Sequence, residues 1–253
     1  MESNYRSYNF ETSKARIDGI LNTGGNSYEE LNSIPSRDKL TYTNGFYVNC
    51  TALFVDIRGS SQLPEQYRRP TLARIYRSYL SEVIAIINAN SRCSEVNIQG
   101  DCVWGIFDTP NKSNVDAVFD TAARISSIVD VINLKLKKRK IDPIKIGVGM
   151  DYGRALMIKS GYNGSGLSEV VWMGDVVNTA CNLCGYGNKE AYDRELMVSQ
   201  VIYNNLSQHN QSLLEYNLYR QCFHGNVVNR KMNEWVETQD AYKTIFFMSD
   251  LYG

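Results

Sequence analysis

Hydrophobic positions alternate between a strand pattern and a helix pattern over the first half of the chain. Residues 46–55 form a β-rich run that predicts a buried strand. Pro70 then opens a predicted helix, because apolar residues recur at helical spacing down to about Asn90. Two short strands are predicted next, over residues 95–98 and 102–107, joined by a tight hairpin turn.

The same patterns continue through the second half. Apolar residues at helical spacing from Val115 to Leu136 predict a helix that Ser113 or Asn114 caps. Its basic end, residues 135–140, is interpreted as a solvated last turn and not as a nucleic-acid patch. A hairpin is predicted at residues 151–153. Further predicted elements are a strand at 170–173, a helix from 174 to about 183, and strands at 195–199, 213–222 and 242–248.

This order of elements predicts the fold class. It reads β-α-β-β-α-β-β, followed by a further α/β segment, and it is typical of an α+β protein. We expect a ferredoxin-like βαββαβ core sheet with helices on one face. The polar residues 1–45 predict an N-terminal arm with one short helix near residues 28–32, and residues 46–253 form the main domain.

Composition and charge narrow the classes of function. Lys and Arg number 27, as do Asp and Glu, so the formal net charge is zero. This balance argues against a dedicated nucleic-acid binder and against attraction to anionic membranes. The chain lacks a long apolar run and an apolar N-terminal signal, so we expect a cytoplasmic location. Cys181 and Cys184 lack the context of a redox or zinc motif.

Two aspartates are the strongest candidates for chemistry. Asp56 lies where a hydrophobic strand ends, and Asp101 lies at the tip of the predicted hairpin. Neighbouring strands would bring the two carboxylates together, as hard oxygen ligands suited to magnesium or manganese. The loop over residues 57–61 offers backbone N–H groups to phosphate oxygens, with Gly59 permitting close approach. The alternative is that Asp56 caps a strand end and Asp101 is a turn residue.

Four segments, in order, carry a resemblance to a known family. Residues 54–61, 99–107, 147–154 and 174–180 resemble the catalytic domain of class III nucleotide cyclases, the adenylate and guanylate cyclase family. The resemblance covers about residues 46–250, and it identifies the main domain as the catalytic domain. Within the family, the segment after Asp56 and the helix around residues 77–83 are most similar to the pyrimidine (uridylate) cyclases of bacterial Pycsar antiphage defence systems.

The resemblance implies roles for the candidate residues. Asp56 and Asp101 would hold two divalent cations, Mn2+ or Mg2+, with the Ile57 carbonyl as a third protein ligand. One cation would lower the pKa of the ribose 3′-hydroxyl, and the other would steady the pyrophosphate leaving group. The triphosphate pocket would be lined by Phe54, Ile57, Arg58, Gly59, Ser60 and Ser61. The family implies a head-to-tail homodimer, with each site built from both chains.

Two departures from the family pattern affect catalysis and substrate choice. The family helix carries Asn and Arg one turn apart, whereas this chain has Asn178 and Asn182. An amide cannot replace the arginine charge. Either another cation acts, with Arg58, Arg154, Arg230 and Lys231 as the candidates, or catalysis is slow. The alternative interpretation of Asn182 is a solvent-facing helix residue.

At the base-selecting positions the chain has Asn97 and Val171, so neither the adenine pair, Lys with Asp, nor the guanine pair, Glu with Cys, is intact. An Asn amide can pair with uracil or, turned over, with cytosine. The resemblance favours UTP over CTP, with cyclic UMP acting on a separate effector protein. The alternatives are a cytidylate cyclase, a catalytically silent nucleotide-binding regulatory domain, and an interaction domain with no ligand.

Overall fold

The structure is a computed structural model that describes residues 5–164 and 166–249, with side chains to residue 239. Its α-helices are α1 Phe10–Leu21, α2 Leu63–Gln66, α3 Arg69–Asn88, α4 Lys112–Lys137, α5 Asp175–Tyr186, α6 Gln200–Asn205, α7 Gln208–Gln211 and α8 Arg230–Ser249. Its strands are β1 Tyr28–Leu31, β2 Gly45–Ile57, β3 Cys93–Gln99, β4 Cys102–Phe107, β5 Ile146–Gly161, β6 Ser168–Met173, β7 Leu196–Val198, β8 Glu215–Asn217 and β9 Cys222–Gly225.

All nine described strands belong to one sheet. Its main path runs β3-β4-β2-β5-β7-β9-β8. Each of the first four strands of this path is antiparallel to its neighbour, and α3 and α4 connect them in the chain order β2-α3-β3-β4-α4-β5. This is the ferredoxin-like arrangement, and the predicted fold class is therefore confirmed. Strand β1 pairs with the first residues of β2, and β6 pairs with the last residues of β5.

The sheet separates two hydrophobic clusters, because successive side chains of a strand point to opposite faces. Along β2, Leu53, Val55 and Ile57 are buried in the cluster that contains α3 and α4. Ala52 and Phe54 belong to the second cluster, which contains the buried side of α5. The two helices of the ferredoxin-like core thus share one face, and α5 covers the opposite face. The strand alternation puts Asp56 on the α5 side.

Helix α5 lies unusually close to β5. A Cβ atom built on Gly149 would lie 2.1 Å from the Ala180 carbonyl oxygen, and one on Gly147 would lie 2.4 Å from the Cys184 carbonyl oxygen. No side chain fits at either position, so the two glycines allow the helix backbone to rest directly on the strand.

The hairpin predicted at residues 151–153 is wrong. Strand β5 continues through these residues and pairs with β2 from Ile146 to Ile158, with Asp151 opposite Ala52 and Gly153 opposite Cys50. The local Asp-Tyr-Gly sequence favours a turn, but β2 provides a pairing partner for every residue here. Tertiary pairing therefore overrides the local turn preference.

The N-terminal arm also differs from the prediction. Residues 28–31 form strand β1, parallel to the start of β2, where a short helix was predicted. Helix α1 was not predicted. The start of β2 extends beyond β4, which pairs only with residues 51–55, so its backbone groups are available to the arm. The division into an arm at 1–45 and a catalytic domain at 46–253 stays a prediction.

Three smaller corrections concern the later elements. The cap of α4 is Asn111, which forms a capping box with Asn114, in place of Ser113 or Asn114 itself. The predicted strand at 213–222 is two strands, β8 and β9, on either side of a turn. The predicted strand at 242–248 lies within α8. That helix packs on α4, with the Lys135 ammonium 5.6 Å from the Trp235 ring.

In the described part of the chain, no helix is both long enough and apolar enough to cross a membrane.

Candidate active site

The fold brings the two predicted carboxylates together. Asp56 lies near the end of β2, and Asp101 follows Gly100 in the β3–β4 turn. Gly100 has a φ of +65°, which favours glycine, so the turn is tight. Because β4 pairs with β2, the tip of the hairpin lies beside the end of β2. The Ile57 backbone N–H donates to Asp101 Oδ2 at 3.3 Å, which fixes the second carboxylate against the first strand.

Burial and the like charge of its neighbour perturb one carboxylate of this pair. Burial and, second, the nearby charge of Asp101 together raise the pKa of Asp56 to about 6, against the lowering effect of Arg58. Arg58 Nη2 donates to Asp56 Oδ2 at 2.9 Å, and Nη1 donates to the Gly185 carbonyl at 3.1 Å. The Asp56 carboxylate therefore holds a proton more tightly than an ordinary aspartate does.

This arrangement fits divalent cations. A cation between two carboxylates removes the repulsion that raises the Asp56 pKa. The described residues include no cluster of three or more His, Cys, Asp or Glu side chains that could hold a metal ion. The protein donors would therefore be the two carboxylates and a backbone carbonyl such as that of Ile57. Magnesium sites of this kind complete their coordination with substrate phosphates and water.

The loop after Asp56 is held in a defined conformation. Gly59 is left-handed, with a φ of +67°, and residues 60–62 form a 3-10 turn that includes Ser60 and Ser61. The Tyr76 hydroxyl donates to the Ser60 carbonyl at 3.3 Å. Burial raises the pKa of Tyr76, and the charges of Asp101 and Asp56 raise it further, so this hydroxyl is close to the carboxylate pair. Sequence reasoning treated Tyr76 only as part of a helical apolar stripe.

A row of side chains crosses the sheet on the α5 side, next to the carboxylates. Phe54 lies opposite Trp104, and Trp104 lies opposite Asn97. The Phe54 and Trp104 rings stack at 5.1 Å with an interplanar angle of 3°. Asn97 Nδ2 is buried and has no hydrogen-bond partner among the described residues. Such a donor is costly unless a ligand satisfies it. Val171 does not belong to this row. It is half-buried on β6, opposite Ile158, and points to the other face of the sheet, because its neighbours Val170 and Trp172 pack on the α5 side.

The two amides of α5 point away from the protein interior. The buried side of α5 consists of Val176, Ala180, Leu183 and Cys184. Asn178 and Asn182 are exposed, one helical turn apart. Neither forms a side-chain hydrogen bond within the described residues. Their exposure leaves both amides free to contact a second chain.

Of the four candidate cations, only Arg58 lies at the carboxylate pair. Arg154 forms an ion pair with Glu30 and lies 4.0 Å from the Tyr47 ring. Arg230 and Lys231 begin α8, which packs on α4. They are therefore on the opposite side of the sheet from α5.

Comparison with known proteins identifies the family. The sequence profile described as "Adenylate and Guanylate cyclase catalytic domain" matches residues 43–230. The chain belongs to this family. Two curated relatives are named uridylate cyclase. The relative from Gulbenkiania mobilis is 39% identical, over 94% of this chain and 99% of its own length. The relative from Treponema porcinum is 37% identical, over 90% of this chain and 81% of its own length.

A solved structure has the same fold. It is described as a class III adenylyl cyclase-like ATP-binding protein from Pseudomonas aeruginosa. It matches with a TM-score of 0.67 at 19% identity, over 88% of this chain and 48% of that protein. The resemblance to nucleotide cyclases that the four motifs carry is therefore confirmed, and so is the class III cyclase fold.

Proposed function

We propose that this protein is a metal-dependent uridylate cyclase, which converts UTP into cyclic UMP and pyrophosphate. The observation that carries the proposal is the Asp56–Asp101 pair, held together by the Ile57 N–H in a cyclase fold. The uridylate cyclase names of relatives that align with almost the whole chain support the choice of UTP.

Different residues of the chain would bind the cations and the triphosphate of the substrate. Asp56, Asp101 and the Ile57 carbonyl would hold two divalent cations, Mg2+ or Mn2+. When bound, these cations supply the charge that activates the ribose 3′-hydroxyl and stabilises the leaving pyrophosphate. The loop of residues 58–61 would bind triphosphate oxygens through the backbone N–H groups of Gly59, Ser60 and Ser61, because the Arg58 N–H already donates to the Lys145 carbonyl at 2.8 Å. Phe54 is buried on the α5 side of the sheet, two residues before Asp56, and would exclude water from that side of the site.

Arg58 is our candidate for the charge that Asn182 lacks. Its guanidinium already contacts Asp56 and is mostly buried, with 18% of the side chain exposed. Its Nε is buried without a hydrogen-bond partner among the described residues. When cations neutralise Asp56, the guanidinium is free to donate to a phosphate oxygen, for which its planar fork is well suited.

The active form we propose is a head-to-tail homodimer with composite sites. In this arrangement Asn178 of one chain orients the ribose bound by the carboxylates of the other. The exposure of Asn178 and Asn182 supports it, because both amides are available at the surface and neither bonds to another side chain in the described part of the chain. A homodimer would then contain two equivalent sites.

Base selection would rest on Asn97 and Val171. The buried, unpaired Nδ2 of Asn97 supports a role in binding, because it needs an acceptor. Uracil O4 and cytosine N3 are both acceptors. We place UTP ahead of CTP on the strength of the named relatives. We further propose that the protein acts in the cytoplasm in antiphage defence, and that cyclic UMP signals to a separate effector protein.

The test is incubation of the purified protein with Mn2+ and each of the four nucleoside triphosphates in turn, with Asp56→Asn as the control. The proposal predicts cyclic UMP from UTP and none from the control. Tight nucleotide binding without product would instead indicate a regulatory nucleotide-binding domain. Neither binding nor product would indicate an interaction domain.

A further inference from the structure

A buried carboxylate lies beside the row that contains Asn97. Glu95 precedes Asn97 by two residues on β3, so both side chains lie on the α5 side of the sheet. Only 2% of the Glu95 side chain is exposed. The register of β3 shifts between Cys93 and Glu95. Such a β-bulge redirects the strand at this point and is often found beside functional sites.

Two segments distant in sequence converge on this carboxylate. Arg37, from the N-terminal arm, forms an ion pair with Glu95 Oε1. Trp172, from β6, donates its ring N–H to Glu95 Oε2 at 3.4 Å. Each carboxylate oxygen therefore accepts from a different part of the chain.

The segments that carry Arg37 and Trp172 are themselves held in place. The Ile34 backbone N–H donates to Asp108 Oδ1 at 3.2 Å, directly after β4. Leu40 is buried in the same cluster as Phe54 and Trp172. The arm is thus fixed on both sides of Arg37. Trp172 is 5% exposed and immediately follows Val171. Glu95 therefore connects β3, which carries Asn97, to β6, which carries Val171.

We propose that Glu95 is a positioning residue for the nucleotide base, acting through its contacts with Arg37 and Trp172. The inference rests on the proposed function, because Asn97 and Val171 are the base-selecting positions there. Glu95 holds β3, the arm and β6 in one arrangement, and this arrangement sets where the Asn97 amide and the Val171 side chain stand. The N-terminal arm thereby becomes part of the substrate-selecting structure.

A role in stability alone does not explain this contact. Only the Glu95 carboxylate is buried, because 57% of the Arg37 side chain is exposed. Burying a carboxylate costs desolvation energy that attraction to a largely solvated partner often fails to repay. A carboxylate forms directional hydrogen bonds, because its two oxygens accept from two donors at defined angles. That property suits the positioning of neighbouring residues.

The test compares variants of the full-length protein in UTP and CTP turnover and in equilibrium binding of the same nucleotides. Glu95→Gln removes the charge but keeps the shape. Trp172→Phe removes only the ring N–H donor and part of the ring, so it remains informative if Glu95→Gln folds poorly. We expect the ratio of kcat/KM for UTP to that for CTP to fall about tenfold in Glu95→Gln, as expected when pocket contacts loosen by one hydrogen bond. Arg37→Lys, which keeps the charge, should retain most of the ratio.

Asp193→Asn is the matched control, because the Asp193 carboxylate is also buried, with 0% of its side chain exposed, and also forms an ion pair with an arginine, Arg220. This control should lower the Tm and leave the UTP to CTP ratio unchanged. An unchanged ratio and unchanged KM in both Glu95→Gln and Trp172→Phe would overturn the inference, whatever happens to the Tm. Failure of the wild-type protein to form cyclic UMP would instead overturn the proposed function, and the ratio of binding constants would then decide the role of Glu95. A wild-type protein that neither binds nor converts these nucleotides would overturn both.

Discussion

Substitution of Gly149 by alanine tests the close packing between β5 and α5. The added Cβ would lie 2.1 Å from the Ala180 carbonyl oxygen and from the Cys184 backbone nitrogen. Both obstacles are backbone atoms, so no side chain can rotate away, and α5 must move by about 1 Å to restore normal contacts. Overpacking of this kind costs about 1–3 kcal/mol. The displaced helix carries Asn178 and Asn182, and a 1 Å misplacement of catalytic groups can cost about 100-fold in rate.

Gly153→Ala is the matched control, on the same strand and the same side. Its Cβ would lie 3.4 Å from Val176 Cβ, an ordinary contact. We expect this variant to be as stable as the wild type or slightly more stable, because alanine restricts the unfolded chain. Urea unfolding gives the two free energies of unfolding, and nucleotide turnover gives the rates. If Gly149→Ala were as stable and as active as Gly153→Ala, the packing of α5 on β5 described here would be refuted.

Four further predictions follow from the site and its surroundings. Asp101→Asn should reduce cyclisation about 1000-fold or more and should not destabilise the fold at pH 8, because Asp56 then loses a like-charged neighbour; activity within tenfold of the wild type would exclude a metal-binding role. Burial raises the pKa of Glu195 from 4.5 to about 7. The contribution of protonated Glu195 to the free energy of unfolding is therefore fully present below pH 4.5 and is lost as the pH rises through 7. Glu195→Gln should reduce the change in the free energy of unfolding between these limits by up to about 3 kcal/mol. Identical pH profiles of the two proteins would contradict this. Asn97→Ala should lower pyrimidine turnover about 5- to 150-fold, the equivalent of the about 1–3 kcal/mol of an unpaired polar group, with little change in Tm; unchanged kinetics would remove Asn97 from the base site. Mixing Asp56→Asn with Asn178→Ala protein should restore activity, because heterodimers contain one site with neither defect; no rescue under subunit exchange would place the site within one chain.

The fold was predictable where local pattern and tertiary pairing agree. Strands β2, β3 and β4 and helices α3 and α4 follow from the strand and helix periods, and their order defines the core. Residues 151–153 and 28–31 were mispredicted because the long strand β2 decides their structure, and no local window contains that information. Residues 242–248 are β-rich in composition but continue a helix that begins at Arg230.

The candidate site was predictable only in part. Asp56 and Asp101 could be paired from topology alone, since the hairpin lies beside the strand that ends at Asp56. Tyr76 and Glu95 could not be found, because their significance lies in single contacts, to Ser60 and to Arg37, that only the folded chain creates. The closeness of α5 to the sheet also emerged only from the structure, although glycines at positions 147 and 149 are visible in the sequence.

The most direct test of the central claim is a single competition experiment. The purified wild-type protein is incubated with an equimolar mixture of the four nucleoside triphosphates and Mn2+, and the cyclic products are quantified by mass spectrometry. Our account predicts cyclic UMP as the main product, with cyclic CMP second and the purine products far lower, because neither purine pair is present at Asn97 and Val171. Cyclic AMP or cyclic GMP as the main product, or no cyclic product at all, would contradict it.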